Sequence, residues 1–180
     1  RIIIAYNPVR KISNDIIDRF SIAESFFQSQ TKQETKIHRS FLLNGNAFIS
    51  VVFKKNQEDQ IFIDSKTGLA VFLDGSPLVG VRTLSAKSLC EQYLKLGPEK
   101  MASSIDGSWS AVIVEPKNNS ILVFRDRFGR APFYFSKNAD CFLASSSPGS
   151  LVKSRLMPAK YNANMIARYA SSNYMATFGL

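Results

Sequence analysis

Ile2-Ile3-Ile4-Ala5-Tyr6 is an unbroken apolar run, the pattern of a strand covered on both faces, and Asn7-Pro8 closes it. The period then changes. Ile16, Phe20, Ala23 and Phe27 recur at helical spacing behind Ser13 or Asn14, either of which can cap a helix. Residues 28–39 are polar without an apolar period and read as a loop. Alternating strands are predicted over 47–53 and 60–64, with Asn56-Gln57-Glu58-Asp59 as a hairpin connection between them. Another strand covers 69–73, entered through Thr67-Gly68 and left at Asp74-Gly75. Ser85 caps a helix with the apolar face Ala86, Leu89, Cys90, Tyr93, Leu94 and Leu96, which Gly97-Pro98 stops. A short helical turn is expected over 98–104.

Four strands follow in succession, over 108–114, 121–125, 133–136 and 141–145, with hairpin turns at Asn118-Asn119 and Asn138-Ala139-Asp140. One helical turn over 148–153 and a short helix with Met165, Ile166 and Tyr169, capped by Asn162 or Asn164, complete the pattern. The strands form an early and a late group with helices between and after them. That predicts an α+β protein, a four-layer αββα sandwich of two antiparallel sheets with helices outside. A doubly wound parallel sheet would need more crossover helices.

The densest polar feature is the stretch from Val123 to Phe135. Arg125, Asp126 and Arg127 stand between two apolar strands, and Gly129 and Pro132 supply a turn. Unpaired charge between apolar runs is costly, so an aspartate between two guanidinium groups predicts a shared, largely buried network stapling a hairpin corner.

Composition changes this picture little. At 180 residues, with 45% apolar and 21% charged residues, the chain fits one sizeable soluble domain. Most of the fourteen phenylalanines belong in its core. No apolar run approaches the roughly 20 residues of a membrane helix, and no cleavable leader pattern opens the chain. The net charge of +9 is spread out, with nine basic against four acidic side chains in residues 101–180. A nucleic-acid binder would show a stripe or cluster with stacking aromatics, so an acidic peptide or partner protein is the better match. Cys90 and Cys141 lack metal spacing and read as reduced thiols of a cytoplasmic protein. His38, the single histidine, sits in a polar stretch with no nucleophile motif beside it and reads as a surface residue.

Three blocks carry a resemblance. They are Ile105-Asp106-Gly107-Ser108-Trp109-Ser110-Ala111-Val112, then Phe124-Arg125-Asp126-Arg127-Phe128-Gly129 with Pro132-Phe133-Tyr134, then Phe142-Leu143-Ala144-Ser145-Ser146. In order and spacing, over about residues 69–152, the chain resembles the glutaminase domain of asparagine synthetases. The resemblance implies the N-terminal-nucleophile hydrolase arrangement. Residues 1–160 would form the amidotransferase-like domain, and residues 161–180 would begin the connection to an ATP-using synthetase domain.

Active members of that family release ammonia from glutamine with an N-terminal cysteine thiolate, and an asparagine and a glycine N–H hold the oxyanion. Laid on this sequence, the nucleophile position falls on Arg1, which cannot attack a carbonyl. The oxyanion motif Phe-Asn-Gly-Glu reads Leu73-Asp74-Gly75-Ser76. Gly75 retains an N–H, but the Asp74 carboxylate only accepts hydrogen bonds and repels a developing oxyanion. The family's Ser-Asp-Thr-Glu, whose aspartate binds the substrate amine, aligns with Ser85-Ala86-Lys87-Ser88, where the acid is absent and Lys87 has the wrong sign. The carboxylate-binding arginine has no counterpart near residues 47–54.

The resemblance therefore implies a degenerate glutamine pocket at Arg1, Asp74, Gly75 and Lys87, with no catalytic residue. Arg125, Asp126, Arg127, Gly129 and Pro132 would be kept for architecture. Relatives with such losses include β-lactam-forming synthetases and lasso-peptide cyclases, in which an internal amine takes the place of ammonia. ATP and magnesium would belong to the synthetase domain, and this domain would hold no cofactor or metal. Two other readings stay open: an active glutaminase whose N-terminal cysteine lies outside this sequence, and a basic partner-binding module.

Overall fold

The computed structural model describes residues 1–137 and 141–172. Its central strand is the apolar run Ile2–Tyr6 (β1), in which Ile2, Ile3, Ile4 and Ala5 are all fully buried. Antiparallel neighbours flank β1: Ala47–Lys54 (β3) on one side and Phe142–Ser145 (β10) on the other. Thr35–Leu42 (β2) and Tyr134–Lys137 (β9) form the edges, giving the order β2-β3-β1-β10-β9.

The second sheet has the order Ile61–Ile63 (β4), Ala70–Val79 (β5), Asp106–Glu115 (β7), Ser120–Arg125 (β8). Arg82–Thr83 (β6) pairs with the far end of β5. Every strand pair is antiparallel.

Period-two alternation divides the side chains among three cores. Ile2, Ile4 and Ile49 of the first sheet meet Phe72, Val112 and Val114 of the second between the sheets. Ile3, Ala5 and Phe48 turn outward to Phe20, Ala23 and Phe27 of Asn14–Ser29 (α1), and Pro148–Lys153 (α4) adds Leu151. Val71, Leu73, Trp109 and Ile113 turn the other way, to Leu89 of Ala86–Leu96 (α2) and Met101 of Pro98–Ser104 (α3). The result is the expected four-layer αββα sandwich. The cap of α2 also forms: Ser85 Oγ accepts from the Ser88 N–H at 3.2 Å.

Several local readings change. Part of the polar stretch over 28–39 is strand, because β2 is an edge strand in which no residue is fully buried and which carries no apolar stripe. His38 lies on it, half-buried, with Nε2 2.7 Å from Ser40 Oγ, and burial lowers its pKa. Residues 56–59 are no hairpin turn: they cross from β3 in one sheet to β4 in the other. Early and late strands are shared between the sheets, since the latest strands, β9 and β10, complete the sheet of β1.

Asp74 and Gly75 lie inside β5, which runs on to Val79. Leu94 and Leu96 of α2 are exposed. Only Phe20, Phe27, Phe48, Phe53 and Phe72 among the described phenylalanines are buried. Asn162 caps Ala163–Ser172 (α5), its Oδ1 accepting from the Met165 N–H at 3.1 Å. The Asn138-Ala139-Asp140 turn and the last residues of the expected connection lie outside the described residues. Among the described residues no helix is long and apolar enough to cross a membrane.

Candidate functional site

The cleft that receives the sequence-flagged residues opens at the start of β1, where the two sheets part. Arg1 stays in register with the first sheet: its nitrogen donates to Val52 O at 2.6 Å, and the Val52 N–H donates to Arg1 O at 2.9 Å. On the other side the Ile2 N–H donates to Ser146 Oγ at 3.0 Å. The guanidinium then reaches across to the second sheet, placing Nη1 3.4 Å from Asp74 Oδ2. Both partners touch solvent, with side-chain exposures of 58% and 16%, so the pair positions the two groups more than it stabilises the fold.

Beside Asp74, Gly75 has φ +102°, and a Cβ there would lie 2.3 Å from Ser108 O and 2.9 Å from Trp109 Cα. Close approach of β5 and β7 admits no side chain at that position.

The cleft has a volume of about 640 Å³, and its polar wall comes from Arg1, Asp74, Ser108, Arg130 and Ser146. A second cavity of about 410 Å³ shares Arg1, Asp74 and Gly75 and extends toward Thr35 and Gln57. Lys87 lines neither cavity. It stands on the exposed side of α2, whose buried side, Ala86, Leu89 and Cys90, packs on the outer face of the second sheet. The structure thus brings Arg1, Asp74 and Gly75 together and leaves Lys87 apart.

Chemically, the larger cleft offers two guanidinium groups against one carboxylate, with hydroxyls around them. It can receive an anionic group. It holds no thiol or imidazole among its lining residues. Cys90 and Cys141 are buried in the cores behind opposite sheets, and the Cys90 thiol is pushed up by burial and then by Asp64 and Glu91. The lining serines therefore have no imidazole beside them to activate a hydroxyl. Among the described residues no group of three or more His, Cys, Asp or Glu could hold a metal ion.

The corner after β8 departs most from expectation. It is a crossover from β8 in the second sheet to β9 in the first, not a hairpin. Asp126 is buried, at 3% exposure, but its partners are backbone groups. Oδ1 accepts from the N–H of Phe128 at 3.1 Å and of Arg130 at 3.0 Å, and Oδ2 from that of Ala131 at 2.8 Å. Burial alone would raise the Asp126 pKa; the backbone hydrogen bonds outweigh it and hold the group below the usual carboxylate value.

Arg125 and Arg127 are exposed and form no ion pair among the described residues, so the expected guanidinium network is absent there. Gly129, at φ +65°, lets the Arg125 guanidinium lie over it: a Cβ would fall 2.9 Å from Nη2. The far end of the corner, Arg130, Ala131 and Pro132, lines the cleft. Sequence reasoning assigned this stretch to architecture alone and missed Arg130, Ser108 and Ser146 as cleft residues. All three lie within or beside the quoted motifs, which was the available signal.

Among protein-family models, that of the glutamine amidotransferase domain matches residues 82–178, just over half of the chain. No curated protein matches the chain.

Proposed function

The chain belongs to the glutamine amidotransferase domain family, and from that premise we propose that it is a member that no longer hydrolyses glutamine. It serves as the degenerate glutaminase-like domain of an asparagine-synthetase-like, ATP-dependent, amide-forming enzyme. The observation that carries this reading is the Arg1–Asp74 ion pair across the cleft. Glutamine hydrolysis needs a nucleophile facing a site where donors hold an oxyanion. Here a cation stands at the nucleophile's place. The neighbouring strand presents a carboxylate, which accepts hydrogen bonds and opposes negative charge.

The parent reaction fits such a loss. A synthetase domain joins a substrate carboxylate to the AMP moiety of ATP, releasing pyrophosphate. An amine already on the substrate then attacks that carbonyl and expels AMP, closing a lactam or a lasso-peptide ring. No free ammonia is consumed, so no glutaminase is needed. ATP and magnesium belong to that synthetase domain. The domain described here supports it and helps to hold an acidic peptide substrate or partner protein, in the cytoplasm, with no role for nucleic acid.

The test uses a diazoketone analogue of glutamine, which alkylates an amidotransferase nucleophile. Intact mass of the full-length protein should show no adduct after incubation with it. A stoichiometric adduct mapped to the cleft overturns the reading and restores an active glutaminase.

A further inference from the structure

One edge of the sandwich is built differently from the rest. β8 ends the second sheet and β9 ends the first, and both border the same two cavities. Along β8, Leu122 and Phe124 pack toward the outer helices, so Ile121, Val123 and Arg125 face the space between the sheets. Opposite them Phe135 pairs with Ala144 and Lys137 with Phe142, which puts these four on one face of the first sheet. The two adjoining cavities, about 800 and 330 Å³, share Val123 and Phe142 and together form one groove.

Its floor is apolar and reaches solvent. Phe135 is 74% exposed while stacked on Phe142, with ring centroids 5.9 Å apart, and Val123 is 39% exposed. The ends carry charge of one sign. Lys137 lines the larger cavity and Arg125 the smaller, and among the described residues neither has an ion-pair partner and no acidic side chain lines either cavity.

We propose that this groove binds an extended segment of an acidic partner protein. Alternate apolar side chains would lie on the Val123–Phe135–Phe142 floor, with carboxylates meeting Lys137 at one end and Arg125 at the other. Six residues of β8 span about 20 Å, the length of a similarly short extended segment. The outer edges of β8 and β9 offer backbone N–H and C=O groups to such a segment, the strand-addition mode of recognition. The +9 charge of the chain speeds encounter with an acidic partner. The inference stands on the groove alone and does not depend on the loss of glutaminase chemistry.

The test measures fluorescence anisotropy of labelled ten-residue peptides added to the full-length protein. One probe alternates leucine with serine and carries aspartates at both ends; a second has lysines in place of the aspartates; a third has serines in place of the leucines. The aspartate–leucine probe should bind saturably, at least about tenfold more tightly than either control, and weaken as salt rises. Phe135→Ser and Lys137→Glu, both on exposed side chains, should each weaken it by about fivefold or more.

Equal affinity for the lysine probe, indifference to both substitutions, or no saturable binding overturns the proposal. So does a dimer in sedimentation that Phe135→Ser dissolves, because the groove would then be filled by a second copy of this chain.

Discussion

Asp126→Ala removes the acceptor around which the β8–β9 crossover is wound. Three backbone N–H groups, of Phe128, Arg130 and Ala131, lose a charged partner at 2.8 to 3.1 Å. A hydrogen bond to a charged group contributes about 1.5–3 kcal/mol when fully buried. These donors are part-buried and water can replace the lost acceptor, so each falls below that range, at about 1 kcal/mol, and the three together at about 3 kcal/mol. For a domain of this size that lowers Tm by about 6–12 °C.

Asp126→Asn can keep Oδ1 for two donors but sets an amide N–H against that of Ala131, so it should cost less, about 2 kcal/mol. Urea unfolding at neutral pH measures both. The pH dependence has a definite sign. The folded-state pKa of Asp126 lies below its ordinary 3.8. Its contribution is therefore complete above that value and fades as pH falls through the lower folded value. The gap between the parent and Asp126→Asn should close on acidification below about pH 4. An Asp126→Ala protein within about 0.5 kcal/mol of the parent, or a gap that does not change with acid, refutes the reasoning.

Two further predictions concern the packing that shapes the cleft. Gly75→Ala drives a methyl group to 2.3 Å from Ser108 O at φ +102°, and should cost about 3 kcal/mol or more in urea unfolding. Gly80→Ala, at φ +60° with open space around it, should cost only about 1–2 kcal/mol; equal costs would mean that the β5–β7 approach is not tight. Glu24, 1% exposed on α1, accepts from Arg39 Nε at 2.8 Å and from Ser50 Oγ at 2.5 Å. Arg39→Met leaves that carboxylate buried and short of its cation, at about 3 kcal/mol, and adding Glu24→Gln should recover about half of the loss. Additive losses in that double-mutant cycle would show that the two side chains do not act as a pair.

The layers were legible because burial writes itself into local pattern. The uniform Ile2–Ala5 run and the Phe20, Ala23, Phe27 stripe needed no tertiary knowledge. Sheet membership was not legible. Residues 56–59 and the corner from Val123 to Phe135 have turn chemistry, but turn residues serve a hairpin and a crossover between sheets equally well, and only the partner strands decide. β2 escaped for a related reason: an edge strand exposing both faces has the polarity of a loop.

At the site, residue types and motifs drew attention to Arg1, Asp74 and Gly75, which the fold does gather. Lys87 was drawn in by motif order alone, and the outer packing of α2 turns it away. Asp126 shows a further limit. An aspartate flanked by arginines invites an ion-pair reading, yet the backbone N–H groups of a tight crossover are nearer and already oriented, and they take the carboxylate.

With the Arg1–Asp74 pair across it, the cleft should not hydrolyse glutamine. The most direct measurement is glutamate release from glutamine by the full-length protein, with ATP and magnesium supplied. No release above a protein-free blank is expected. Steady turnover that Asp74→Ala abolishes would contradict it.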